Sequence, residues 1–90
     1  MKTVFFLMAQ YDARVVIPIE EVCRDYFPTL QVDKLLRKCA AGEIPLPIMR
    51  MEKSQKAMRG VHLVDLAIYL DEQLQAGKNE WEQFKAGRLP

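Results

Sequence analysis

Ninety residues make one domain at most, and a chain this short buries only about two-thirds of its unfolded surface, so no large enclosed active site is expected. Half the residues are hydrophobic and 28% are charged, the balance of a folded globular chain rather than a disordered or collagenous one. The longest apolar run, residues 4–9, falls far short of the roughly 20 residues needed to cross a bilayer, and the lone Lys2 before it with no small-residue cleavage site after it argues against a secretory leader, so a cytoplasmic location with no membrane partner is expected.

Residues 3–11 are apolar nearly all round and hold no Gly or Pro, which favours a helix with Thr3 as N-cap, although Phe5, Phe6 and Leu7 would also suit a buried strand. Residues 12–14 read as a connection. Val15, Val16 and Ile17 are β-branched and precede a proline, which pushes the backbone to an extended form and predicts a short strand. Pro18 suits a first helical turn, and Glu20 and Glu21 sit near the positive end of the helix dipole. Ile19, Val22, Cys23 and Tyr26 then form the i, i+3, i+4, i+7 stripe of a helix of about nine residues. Pro28 stops it, and a second helix is predicted over residues 31–41 with Val32, Leu35, Leu36 and Cys39 inward. Gly42 accepts the left-handed C-cap conformation, and Pro45 prevents the helix from resuming.

Residues 47–61 predict a hairpin around the polar segment 52–56, with Arg50 and Arg59 on one side and the methionines and Val61 covering the core. His62 is placed to cap a further helix carrying Leu63, Leu66, Ala67 and Leu70, with Asp65 in its first turn. Gly77 is expected to break that pattern. Asn79 with Glu82 three residues on reads as the start of a short capped helix, whose Trp81 and Phe84 share a face that packs on the domain or mediates self-association. The expected organisation is residues 1–75 as one domain with an additional N-terminal segment, and residues 76–90 as a tail or short helix.

Net charge is +1, but seven cations against two anions give the stretch from Lys34 to His62 a net +5, leaving −4 for the remainder. Lys34, Arg37 and Lys38 lie at i, i+3 and i+4 on the outward face of the second helix. Arg50, Lys53, Lys56 and Arg59 line the hairpin, interleaved with Ser54 and Gln55, whose hydroxyl and amide bond phosphate oxygens or base edges. Strand, helix, tight turn, helix, basic hairpin, helix is the order of a winged helix-turn-helix, so the expected class is mainly α with a small β-hairpin. The DNA-binding residues expected on this reading are Lys34, Arg37, Lys38, Arg50, Lys53, Ser54, Gln55, Lys56 and Arg59.

Chemistry of other kinds has little to stand on. The single histidine, His62, is placed for capping, Glu20 and Glu21 diverge by about 100° around a helix, and Ser54 has no basic partner, so no enzyme is expected. Cys23 and Cys39 have no His or third Cys at metal-ligand spacing, so free thiols, no metal and no cofactor are expected.

Leu7-Met8-Ala9-Gln10-Tyr11, Ile17-Pro18, Val22-Cys23-Arg24-Asp25-Tyr26-Phe27, Ala41-Gly42-Glu43-Ile44-Pro45, Ser54-Gln55-Lys56 and Arg59-Gly60-Val61-His62-Leu63 with Asp65-Leu66-Ala67 together resemble the pyocin activator family over nearly the whole chain. The resemblance implies a small bacterial or prophage transcription activator, binding a promoter-proximal box upstream of phage-tail-like bacteriocin or lysis genes. More distantly, residues 17–70 are similar to excisionase-type and MerR-type winged helices, with Gly42-Glu43-Ile44-Pro45 as the turn between recognition helix and wing. In that wider class arginines are common where this chain has Val32 and Asp33, and Asp33 is read as stabilising the helix N-terminus rather than contacting a base. The expected partners are double-stranded DNA, bound by two copies of the chain, and RNA polymerase. Two alternatives stand beside the activator: an excisionase-like recombination directionality factor, and a phage regulatory module that binds a protein and does not contact DNA.

Overall fold

The computed structural model describes residues 2–88 as α1 (Lys2–Gln10), β1 (Val16–Pro18), α2 (Ile19–Tyr26), α3 (Val32–Ala40), β2 (Met49–Arg50), β3 (Arg59–His62) and α4 (Leu63–Arg88). The chain is mainly helical, with one three-stranded antiparallel sheet in the order β1-β3-β2. The expected hairpin is β2 and β3, with Met49 opposite Gly60, while β1 adds Ile17 opposite Val61 on the other edge of β3.

Pro18 closes β1 and caps α2 with φ −55°, and α2 buries Ile19, Val22 and Cys23 as its stripe requires. Its last turn is tied off within the connection: the Cys23 thiol donates to the Leu30 carbonyl at 3.2 Å, and the Leu30 amide to the Phe27 carbonyl at 3.0 Å. α3 buries Leu35 and half-buries Val32, Leu36 and Cys39. Gly42, at φ 79°, ends it: the Gly42 amide donates to the Cys39 carbonyl and the Glu43 amide to that of Lys38, the bond pair of a Schellman cap. Both cysteines are free thiols.

The N-terminal segment is a helix, but Thr3 lies inside α1 rather than capping it. Its hydroxyl donates to the Asp71 carboxylate at 2.6 Å, fastening α1 to α4 while Leu7 enters the core. Asp12 and Ala13 both adopt left-handed conformations, and the Arg14 amide returns to the Tyr11 carbonyl, so the chain reverses in a two-residue turn that leads into β1.

Tyr11 is fully buried up to its hydroxyl, which donates to Asp25 of α2 at 2.6 Å. Hydrogen bonds from Arg24 and Tyr11 hold the Asp25 carboxyl below its ordinary value. Tyr11→Phe is therefore expected to cost about 1–2 kcal/mol at neutral pH. A carboxylate favoured by the folded state stabilises fully above its unfolded pKa of about 3.9, and that contribution fades as pH falls through the lower folded value. In thermal unfolding the gap between wild type and Tyr11→Phe should narrow below about pH 4; a gap unchanged down to pH 2 would contradict the assignment.

α4 is where expectation and structure part. It continues through Gly77 to Arg88 without interruption, and Asn79 accepts a hydrogen bond from Gln75 one turn earlier instead of starting a new helix. A single glycine weakens a helix without breaking it when the flanking residues are good helix formers. Residues 72–87 are exposed throughout, including Trp81 and Phe84, whose rings stack at 6.1 Å. Both rings keep more than half of their surface exposed, which is less burial than packing onto the domain would give them. Leu89 and Pro90, the end of the expected tail, lie outside the described residues. His62 takes its expected role, its Nδ1 accepting the Val64 amide at the start of α4. Among the described residues no helix is long and apolar enough to cross a membrane.

Candidate nucleic-acid interface

With Leu35 committed to the core, the rotation of α3 turns Lys34 and Arg37 outward, both exposed, with Lys38 half-buried beside them. Lys38 leans towards Glu43 just past the Gly42 cap, at 3.7 Å, a loose surface pair of the kind that contributes little. Asp33 stands in the first turn of the same helix, where a carboxylate favours the helix dipole.

The hairpin brings Arg50 directly opposite Arg59 across the ladder. Two like charges in register are unfavourable in a sheet unless a counter-charge lies between them. Side chains alternate along a strand, so Arg59 shares its face with Val61, which is fully buried. The two arginines therefore extend the core-facing side of the sheet beyond the edge of the core, over the outer part of α3. This corrects the expected arrangement, in which the methionines joined Val61 inside. Met51 and Met58 are exposed, because they sit on the opposite parity and at the far end of the arms, where the Met51 amide meets the Met58 carbonyl at 3.2 Å.

The tip is a turn built by Ser54. Its carbonyl accepts the Ala57 amide and its hydroxyl oxygen accepts the Lys56 amide, each at 3.1 Å, which leaves the hydroxyl proton as an outward donor. Lys53, Gln55 and Lys56 are exposed around it.

Shallow grooves connect these parts. One of ≈ 520 Å³ lies between Arg37 of α3 and Arg59 of β3, with Asp33 at its wall. Another, ≈ 350 Å³, runs between the hairpin pair Arg50 and Arg59 and the Cys39 side of α3. A third, ≈ 450 Å³, carries Lys34, Arg37 and Lys38. Arg37 and Arg59 each belong to two of them, so the helix and the hairpin arms form one continuous surface, whereas residues 53–56 stand outside the grooves at the tip. Asp33, expected only to stabilise the helix N-terminus, also lines this surface, as its place one turn before Arg37 implies. Burial pushes the Cys39 thiol up, which disfavours its thiolate form.

The charge is segregated by how the carboxylates are used. Glu21 takes both terminal nitrogens of Arg14 at 2.6 and 2.8 Å, and Asp25 takes Arg24 at 2.9 Å, all around α2. Among the described residues no carboxylate lies within ion-pairing distance of Lys34, Arg37, Arg50, Lys53, Lys56 or Arg59. A surface of unpaired cations with polar hydrogen-bond donors between them attracts a polyanion. No group of three or more His, Cys, Asp or Glu among the described residues is arranged to hold a metal ion.

A family model described as "Pyocin activator protein PrtN" matches residues 3–77. No curated protein and no solved structure matches the chain.

Proposed function

The chain belongs to the pyocin activator family, and from that premise we propose that it is a sequence-specific DNA-binding activator of pyocin-type bacteriocin or prophage genes, acting at a promoter-proximal box without catalysis. The observation that carries the reading is the continuous surface on which Arg37 of α3 and the facing pair Arg50 and Arg59 stand with no carboxylate within ion-pairing distance among the described residues. On this reading α2 and α3 form a helix-turn-helix, α3 enters the major groove, and the β2–β3 hairpin is a wing tracking the backbone or the minor groove. Residues 1–75 are then the DNA-binding unit. RNA polymerase is the protein that such an activator recruits.

Within α3, Arg37 occupies the middle of the surface and is proposed to read a base edge, with Lys34 and Lys38 on phosphates. Arg37→Ala should cost about 1–3 kcal/mol on the specific site and leave folding nearly unchanged, since the side chain is exposed. Equal losses on specific and random duplexes would reassign it to a phosphate.

Selecting and sequencing the fragments that the protein binds from its source genome tests the function itself. Enrichment upstream of phage-tail-like or lysis genes is expected. Enrichment at phage attachment sites would instead favour the excisionase reading, and no enrichment over input would favour a module that binds only protein.

A further inference from the structure

α4 carries a single apolar stripe with two fates. Leu63, Ala67 and Leu70 follow one another at spacings of four and three residues and pack with the core. The same alternation continues through Leu74, Gly77, Trp81 and Phe84, where Leu74, Trp81 and Phe84 are 56%, 56% and 55% exposed. A 4-3 repeat is the seam by which one helix packs along another. An outer half of this length, carrying glycine and exposed from residue 72 to residue 87, is marginal as a lone helix in water.

Gly77 identifies what covers the seam. Glycine weakens a helix interior, and nothing within the chain calls for it here. The backbone is ordinary helix, and a methyl group at this position would meet no atom beyond its own stretch of helix within 4 Å. Space has been left for something outside the chain, on the same stripe as the largest side chain the protein has. A second copy supplies that side chain. If two α4 helices lie antiparallel about a two-fold axis near Asn79, Trp81 of each falls level with Gly77 of the other, and Leu74 falls level with Phe84.

The direction follows from the inner half of the stripe. Because Leu63, Ala67 and Leu70 face the chain's own core, a second helix running in the same direction would carry both cores into the space between the helices. In the antiparallel arrangement each helix ends where the other chain's core begins. Asp71 then lies near Lys85 of the second copy at both ends of the seam, an attractive pair repeated by the symmetry.

We propose that the outer half of α4 is a homodimerisation surface on which two copies pack antiparallel, with Trp81 of each seated over Gly77 of the other. The proposal needs no DNA and does not depend on the DNA-binding reading.

Sedimentation equilibrium of the full chain without DNA, from about 1 to 200 μM, tests it. Wild type is expected to dimerise across this range, and Trp81→Ala to raise the dissociation constant at least about tenfold. Gly77→Leu is the decisive variant. Leucine is the better helix former and would strengthen a parallel seam or unspecific apolar association, but it fills the space that Trp81 of the other copy needs. Gly77→Leu should therefore weaken the dimer at least about tenfold while circular dichroism shows helix content retained or increased. A wild-type chain that stays monomeric, a Trp81→Ala variant that dimerises normally, or a Gly77→Leu variant that associates as tightly as wild type would each overturn the proposal.

Discussion

Gly60→Ala is expected to destabilise the protein by about 2–3 kcal/mol, the upper part of the range for overpacking a well-filled site. Gly60 sits in the central strand, opposite Pro18 on one side and Met49 on the other. A Cβ at this position would stand 2.7 Å from the Ile17 carbonyl oxygen and 2.8 Å from the Val16 Cγ1, closer than real contacts allow. The oxygen belongs to the backbone of the neighbouring strand, so β1 must move away from β3 for the methyl to fit. In a domain this small each kcal/mol lowers Tm by about 4–8 °C, which places the expected shift above about 8 °C in a thermal melt. The neighbouring residue is Arg59, so the same displacement should tilt the hairpin relative to α3 and weaken any ligand that touches both. A melt within about 2 °C of wild type would show that the strands have slack here that the packing does not reveal.

The largest expected effect on binding to all sequences alike comes from the hairpin tip. Lys53 and Lys56 are exposed on either side of the Ser54 turn. If both meet phosphates, Lys53→Ala with Lys56→Ala should reduce the salt slope by about two and the affinity by roughly 30-fold near 0.15 M salt. Phosphates carry no sequence information, so specific and scrambled duplexes should lose alike. Ser54 and Gln55 are proposed to bond phosphate between the two lysines, and Arg59, closer to the groove, to matter most on A·T-rich flanks with a narrow minor groove. The competing role for the tip is a charged loop that only protects an edge strand from aggregation. In that case the double variant binds as wild type and loses solubility instead.

Local chemistry made part of this architecture legible in the sequence. The stripe of Ile19, Val22 and Cys23 and the Gly42-Pro45 stop fixed α2 and α3, because helix periodicity and caps are properties of neighbouring residues. What required distant partners stayed hidden. Nothing near Val16 announces that it pairs with His62, and nothing near Thr3 announces Asp71. Gly77 and Asn79 imitate a break and a new N-cap, yet the 4-3 spacing that carries α4 past them was already present in Leu70, Leu74, Trp81 and Phe84. The hairpin face differs from expectation for a simpler reason: Arg59 and Val61 are two apart and must share a side, which puts the arginines with the core face and Met51 and Met58 outside. The family resemblance, carried by short motifs in order along the chain, agrees with the match over residues 3–77.

The central claim is that one surface, built by α3 and the β2–β3 hairpin, binds duplex DNA. Fluorescence anisotropy titrations of the full chain with labelled specific and scrambled duplexes at several salt concentrations address it directly. With Lys34, Lys38, Arg50, Lys53, Lys56 and Arg59 on phosphates and Arg37 on a base edge, the logarithm of the association constant should fall linearly with the logarithm of salt with a slope of about −5 to −6 on both duplexes, the specific one remaining tighter throughout. No binding at low salt, or binding that does not change with salt, would contradict it.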